Sequence, residues 1–276
     1  MRAPQSLSLG QFLRAKRHSA APIDAAKQAR RRRTPGLRRE EVAELANISL
    51  DWYARLEQDR AGTPSPTALA GICRALRLNP SEEQYLHLLA GHLSPARSTV
   101  EQDLHPSTRA ILRRLHDVPA CVIGPSMDVL ACNALYDALF PGFSAHPTWG
   151  RNCVWAICCA PGAAAMLDDH EAAKQEAVAA LRLAFASDQS NVALQELIAA
   201  LRRDAPDFDS LWAMQHVAVK AHGQRVFKHP EVATMVLDWH SFVSPAEPRQ
   251  RVKMFEPADA ASAHALEQLR IRVEAM

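Results

Sequence analysis

The chain has 276 residues, 48% of them hydrophobic and 22% charged, with a net charge of +2, the balance of a soluble globular protein of two ordinary domains. No run of about 18 apolar residues occurs, which excludes a membrane-spanning helix. Met1 to Gly10 lacks the apolar stretch of a secretory signal, so a cytoplasmic location is expected. The six cysteines (73, 121, 132, 153, 158 and 159) contain no CxxC pair; in a reducing compartment they read as small buried apolar residues.

Leu7 to Arg17 carries Leu9, Phe12 and Leu13 at helical spacing under a basic outer face. Between Arg14 and Arg39 ten Lys or Arg stand against one acid, Asp24, a local charge of +9 that leaves −7 for the rest of the chain. A polyanion suits such a block, because each neutralised phosphate releases counterions; a solvated basic loop is the bland alternative. Thr34-Pro35-Gly36 breaks any helix. Arg38 to Ala46 reads as a second helix with Val42, Ala43 and Leu45 inward, and Ser49 caps a third over Leu50 to Gln58 with Tyr53 and Leu56 buried. Pro66 to Leu78 and Ser81 to Leu89 supply two more helices, the last opened by a Ser81 to Gln84 capping box.

Arg39 to Gln58 meets the conditions of a helix-turn-helix. Ala43 is small where two helices cross, Asn47 tolerates the positive φ of the turn, and Ile48, Tyr53 and Leu56 plug the core. The third helix then enters the major groove with Ser49, Leu50, Asp51, Trp52 and Arg55 facing the bases. Arg33, Arg38 and Arg39 are placed on the phosphate backbone of double-stranded DNA. Asp51 reads equally well as a partner of its own helix dipole, and Glu57 as a partner of an arginine inside the domain.

The run Arg33-Thr-Pro-Gly-Leu-Arg-Arg-Glu-Glu-Val-Ala43, followed by Ile48-Ser49 and Tyr53-Ala-Arg-Leu-Glu-Gln58, resembles the MmyB-like regulators. These are Xre-type, lambda-repressor-like helix-turn-helix proteins with a C-terminal ligand-binding domain. Asn47, Trp52 and Asp59 stand where Gly, Tyr and Gly are usual. The resemblance continues in Val129-Leu-Ala-Cys-Asn133, Arg151-Asn152, Phe208-Asp-Ser-Leu-Trp212, His216-Val217, Gly223, Phe227-Lys-His-Pro230 and the strand from Arg251 to Phe255. It implies a PAS-like second domain that binds a small hydrophobic molecule, a fatty acid in one relative. Cys153-Val-Trp-Ala-Ile-Cys-Cys-Ala-Pro161 departs from the family's apolar run ending in Asp-Pro.

Gly91 to Pro106 reads as a linker, giving domains over 1–92 and 107–276 with 93–106 between them. A helix is expected over Thr108 to Leu115. Two short strands, Ala120 to Gly124 and Asp128 to Cys132, flank a Gly-Pro-Ser turn, and Asn133 caps a helix from Ala134 to Phe140. Helices follow near Asp168 to Ser187 and Asn191 to Asp204. Strands follow near Val217 to Lys220, Gln224 to Lys228, Val232 to Trp239 and Arg251 to Phe255, and a last helix runs from Ala260 to Val273. The fold expected is multidomain: all-α, then α+β.

Asn133, Arg151, Asn152, Trp155, Trp212 and His216 are the ligand-site candidates, by resemblance and chemistry. Arg151 offers a guanidinium fork to a carboxylate; Asn133 also reads as a helix cap, and Trp155 and Trp212 as core. Cysteine and histidine spacings match no structural zinc pattern. There is no GxSxG elbow, Walker loop or dinucleotide glycine fingerprint, so neither an enzyme nor a cofactor is implied. The expectation is a homodimeric, sequence-specific transcription regulator with a sensor for a fatty-acid-like ligand. The alternative is a constitutive regulator whose second domain recruits a protein partner.

Overall fold

The computed structural model describes residues 7–21, 36–93, 104–142, 146–243 and 247–275. Arg33 and the Lys27 to Arg32 part of the basic block lie outside these residues, as does most of the expected linker. Five helices build the N-terminal domain: α1 (Leu9–Ser19), α2 (Arg39–Ala46), α3 (Leu50–Glu57), α4 (Pro66–Leu76) and α5 (Pro80–Leu89). Side chains of Ser8, Ser49, Ser65 and Asn79 accept from backbone N–H groups at the starts of α1, α3, α4 and α5. The capping box of α5 uses Asn79 and Glu82 rather than Ser81 and Gln84. Pro80, with its preset φ, starts the helix earlier than expected.

Asn47 adopts φ 55° and ends α2. Gly71 of α4 passes so close to α2 that a Cβ there would lie 2.5 Å from the Ala46 carbonyl oxygen. Phe12, Leu13, Val42, Tyr53, Leu56, Leu69, Ile72, Tyr85 and Leu86 close the core, each large apolar side chain contributing about 1.5–3 kcal/mol. Leu45 does not join it and is 41% exposed; at about 100° of turn per residue, Val42, Ala43 and Ala46 share the inward face and Leu45 falls outside it.

Glu57 is fully buried and held by two arginines. Arg17 Nε and Arg39 Nε donate to its two carboxylate oxygens at 2.6 and 2.7 Å. Burial pushes this carboxyl up, but the two arginines outweigh it and hold Glu57 below its ordinary value. Asp59, at φ 56°, turns its carboxylate onto the start of α1 and accepts from the Gly10 N–H at 2.8 Å.

The C-terminal domain begins with α6 (Pro106–Leu112), β1 (Ala120–Ile123), β2 (Val129–Cys132) and α7 (Ala134–Leu139). Then come α8 (Cys153–Cys159), α9 (Ala163–Met166), α10 (His170–Ser187), α11 (Val192–Asp204) and α12 (Phe208–Ala213). The chain closes with β3 (His222–Phe227), β4 (Met235–Val243), β5 (Arg251–Pro257) and α13 (Ala260–Glu274). The strands form one antiparallel sheet in the order β2-β1-β5-β4-β3, a PAS-like α+β layer. Val217 to Lys220 is not a strand. Val217 instead packs into the N-terminal core, and the Val219 N–H donates to Ser81 Oγ at 3.2 Å.

α10 has almost no solvent face. Val178, Leu181 and Phe185 pack among α8, α11 and α12; Leu183 and Ala186 enter the N-terminal core; Ala173, Ala177, Ala180 and Ala184 face a cavity. Glu171 and Gln175 are its exposed residues, and Lys174 and Arg182 are buried with the apolar ones.

Candidate ligand cavity and DNA-facing helix

The start of α3 is open to solvent. Leu50 is 43% exposed, and the Asp51–Arg55 ion pair, 3.2 Å across one helical turn, lies outside the fold. Ser49 Oγ accepts from the Trp52 N–H, and Trp52 is half-buried against the core. Arg38 is exposed at the start of α2. Arg39 differs: its Nε is committed to Glu57, leaving a side chain 43% exposed.

A cavity of about 660 Å³ lies between the sheet, α8 and α10, within the range of small-molecule sites. Alanine makes the room along α10, where residues 173, 177, 180 and 184 recur at alternating spacings of four and three on one face. The sheet supplies Phe227, Trp239 and Phe255, and α8 supplies Val154, Ala156 and Ile157. Gly223 faces Trp239 across the β3–β4 ladder, and a Cβ there would lie 2.8 Å from the indole ring. The missing side chain lets the ring lie flat, and Lys253 Nζ sits 4.4 Å from its centre and 5.2 Å from that of Phe255.

Cations enter this apolar wall by the period of two in β5. Arg251, Lys253 and Phe255 alternate with Val252 and Met254 and line the cavity, while Val252 packs on the opposite face with Ala120 and Val122. Among the described residues no carboxylate lies within salt-bridge distance of Lys253 or Arg251. Burial pushes both below their ordinary values. Arg225 Nη2 donates to Glu176 at 2.7 Å, while its Nη1 is buried without a hydrogen-bond partner. The wall is thus largely apolar and brings Lys253, Arg251 and Arg225 to the space together with the carboxylates of Glu176 and Asp188.

None of the six expected ligand residues lines this cavity. Asn133 spends its amide on the fold: Nδ2 donates to the Val118 and Leu115 carbonyls, and Oδ1 accepts from Ala120 and Tyr136 N–H. Asn152 caps α8 and ties it to Ser126 O and Asp128 Oδ1, both at 3.0 Å, so it positions a wall without facing the space. Arg151 is exposed and lies 4.0 Å from Asp137. Trp155 packs against His146, Trp212 lies under Arg182, and His216 faces solvent. The cations that do line the cavity are Lys253 and Arg251, two residues apart on β5, and Arg225 on β3.

Among the described residues no three His, Cys, Asp or Glu side chains gather so as to hold a metal ion, and no helix is long and apolar enough to cross a membrane. Every thiol is pushed up by burial, Cys158 to about 12 and Cys132, Cys153 and Cys159 to about 11, the opposite of a reactive cysteine.

The family model of a helix-turn-helix domain matches residues 8–86, and that of the MmyB-like transcription regulator ligand binding domain matches residues 104–269. No curated protein matches the chain. The second match alone covers more than half the chain and takes in the whole five-stranded sheet and every residue lining the cavity except Gln84; the chain belongs to the MmyB-like transcription regulators.

Proposed function

We propose that this regulator senses an apolar acid, fatty-acid-like in shape and charge, and reads DNA through α3 as a homodimer. The observation that carries the ligand class is the cavity of about 660 Å³, walled by alanine and aromatic side chains, into which Lys253 and Arg251 bring charge without a carboxylate partner. The cavity also favours this reading over a partner-recruiting domain, which calls for a closed core. Ser49, Leu50, Asp51, Trp52 and Arg55 face the bases, and Arg33 and Arg38 the phosphates. Arg39 joins them only with the part of its guanidinium that Glu57 leaves open. The domains run over 1–92 and 107–276, joined through 93–106.

The test is native mass spectrometry of the protein purified from its own host, followed by denaturing extraction. A released apolar acid supports the reading and names the ligand. An empty dimer moves the second domain toward protein recruitment.

A further inference from the structure

The cavity borders the DNA-binding domain directly. Gln84 of α5 lines it, and Leu183 of α10 both lines it and belongs to the N-terminal hydrophobic core. One turn of α10 therefore has the ligand space on one side and the helix-turn-helix core on the other. α5 in turn meets α1 through the Phe12–Tyr85 ring contact, 5.0 Å between centres, and through the Lys16–Glu82 ion pair at 2.5 Å. α1 packs on α3, whose backbone at Glu57 would lie 2.3 Å from a Cβ on Gly10.

Beside Leu183 stands Arg182, fully buried and without a carboxylate partner among the described residues. Nη1 donates to Gln215 Oε1 at 3.1 Å, Nη2 donates to the Trp212 carbonyl, and the guanidinium lies 4.2 Å from the Trp212 ring centre. Its Nε and the Tyr85 hydroxyl of α5 face one another, both buried, across the domain boundary. Burial lowers Arg182 while Tyr85 opposes that shift. A fully buried guanidinium without a carboxylate partner costs stability at this boundary.

We propose that the cavity is an interdomain site, and that its occupancy is transmitted to the helix-turn-helix through Leu183 and Gln84, with Arg182 and Tyr85 as the joint between α10 and α5. This rests on the sensor reading given above and names how that sensor is coupled. By linkage, a ligand that touches both domains binds the docked and undocked arrangements unequally, which is the condition for shifting one against the other.

The experiment follows backbone amide exchange in the full chain with and without dodecanoate, with binding scored separately by displacement of the fluorescent probe anilinonaphthalene sulfonate. The expected result is slower exchange in residues 173–187 and also in residues 80–89, the latter by about 5- to 150-fold, the usual range of coupling between sites. Displacement of the probe with protection confined to the C-terminal domain overturns the coupling and leaves the sensor reading standing. Failure of dodecanoate to bind removes the sensor reading instead. The coupling is then judged on Ala180→Phe, which fills the same space from α10. Altered exchange over 80–89 supports it, and unaltered exchange overturns it.

Discussion

Replacing Lys253 by Met separates the charge of the cavity from its shape. Methionine fills much of the same volume and leaves Trp239 and Phe255 covered, so what is lost is the ammonium that sits 4.4 Å from the Trp239 ring centre. A hydrogen bond to a charged group contributes about 1.5–3 kcal/mol, which corresponds to about 10- to 160-fold in a dissociation constant. Dodecanoate should therefore bind Lys253→Met more weakly by that factor, while dodecanol, with the same tail and no charge, should be nearly unaffected. Folding without ligand should hold or improve, because the substitution strands no carboxylate. Burial holds the Lys253 amine below its ordinary 10.5, so over the window up to 10.5 the unfolded chain binds more protons than the folded one. Stability rises with pH there and is flat below it; Lys253→Met should lose that rise. Isothermal titration with both amphiphiles, and thermal melts across the alkaline range, read all of this. Equal losses for dodecanoate and dodecanol would falsify the assignment of Lys253 to the head group.

Glu57→Gln leaves Arg17 and Arg39 without their shared anion and should cost about 3–5 kcal/mol, measured by denaturant unfolding. Glu57 lies below its ordinary value of 4.5, so its contribution is complete above 4.5 and fades as pH falls through the lower folded-state value; the variant should be flat across that acid window, and an unchanged acid slope would remove the network from the stability account. Arg38→Ala should weaken binding to every DNA sequence and reduce the salt slope by about one, whereas Arg55→Ala should change sequence preference by about 1–3 kcal/mol at one base pair. A binding-site selection that returns the same motif for Arg55→Ala counts against its role as a reader. With thiols pushed up to about 11 or 12, roughly one in ten thousand or fewer is thiolate at neutral pH. Folded protein should thus react slowly with a disulfide reagent, and rapid labelling of Cys158 or Cys159 would contradict their inert environment.

The two domains differ in how much of their chemistry the sequence displays. In the N-terminal domain each requirement falls on one residue in a short window: Asn47 for a left-handed turn, Ala43 for a close crossing, Tyr53 and Leu56 for the plug. These are local conditions, so they could be read without knowing what packs where. Leu45 marks the limit, since an eight-residue helix tolerates apolar residues off its buried face. All five strands were legible as short apolar runs between turn residues, with bounds within four residues of those observed. Val217 to Lys220 has the same composition but spends its backbone on Ser81 of the other domain, a long-range partner that no local pattern announces.

The cavity is harder to see because it is made by what is missing. Asn133, Arg151 and Asn152 drew attention as polar residues at motif positions, yet Asn133 and Asn152 saturate their amides on backbone and on Asp128, and Arg151 stays at the surface. Polar groups that the fold has already satisfied have little left to offer a ligand. The residues that remain available are those whose surroundings leave them unanswered: Lys253 and Arg251 on an otherwise apolar face, and one nitrogen of Arg225. The space before them exists because α10 carries alanine at 173, 177, 180 and 184, where leucine at the same spacing would have closed the core. The same helix bears larger apolar residues, Val178, Leu181 and Phe185, on its packed face. Small on one face and large on another is thus the pattern that distinguishes a helix lining a ligand space from one that merely fills a core, and it becomes interpretable once an alternating cationic strand is found opposite.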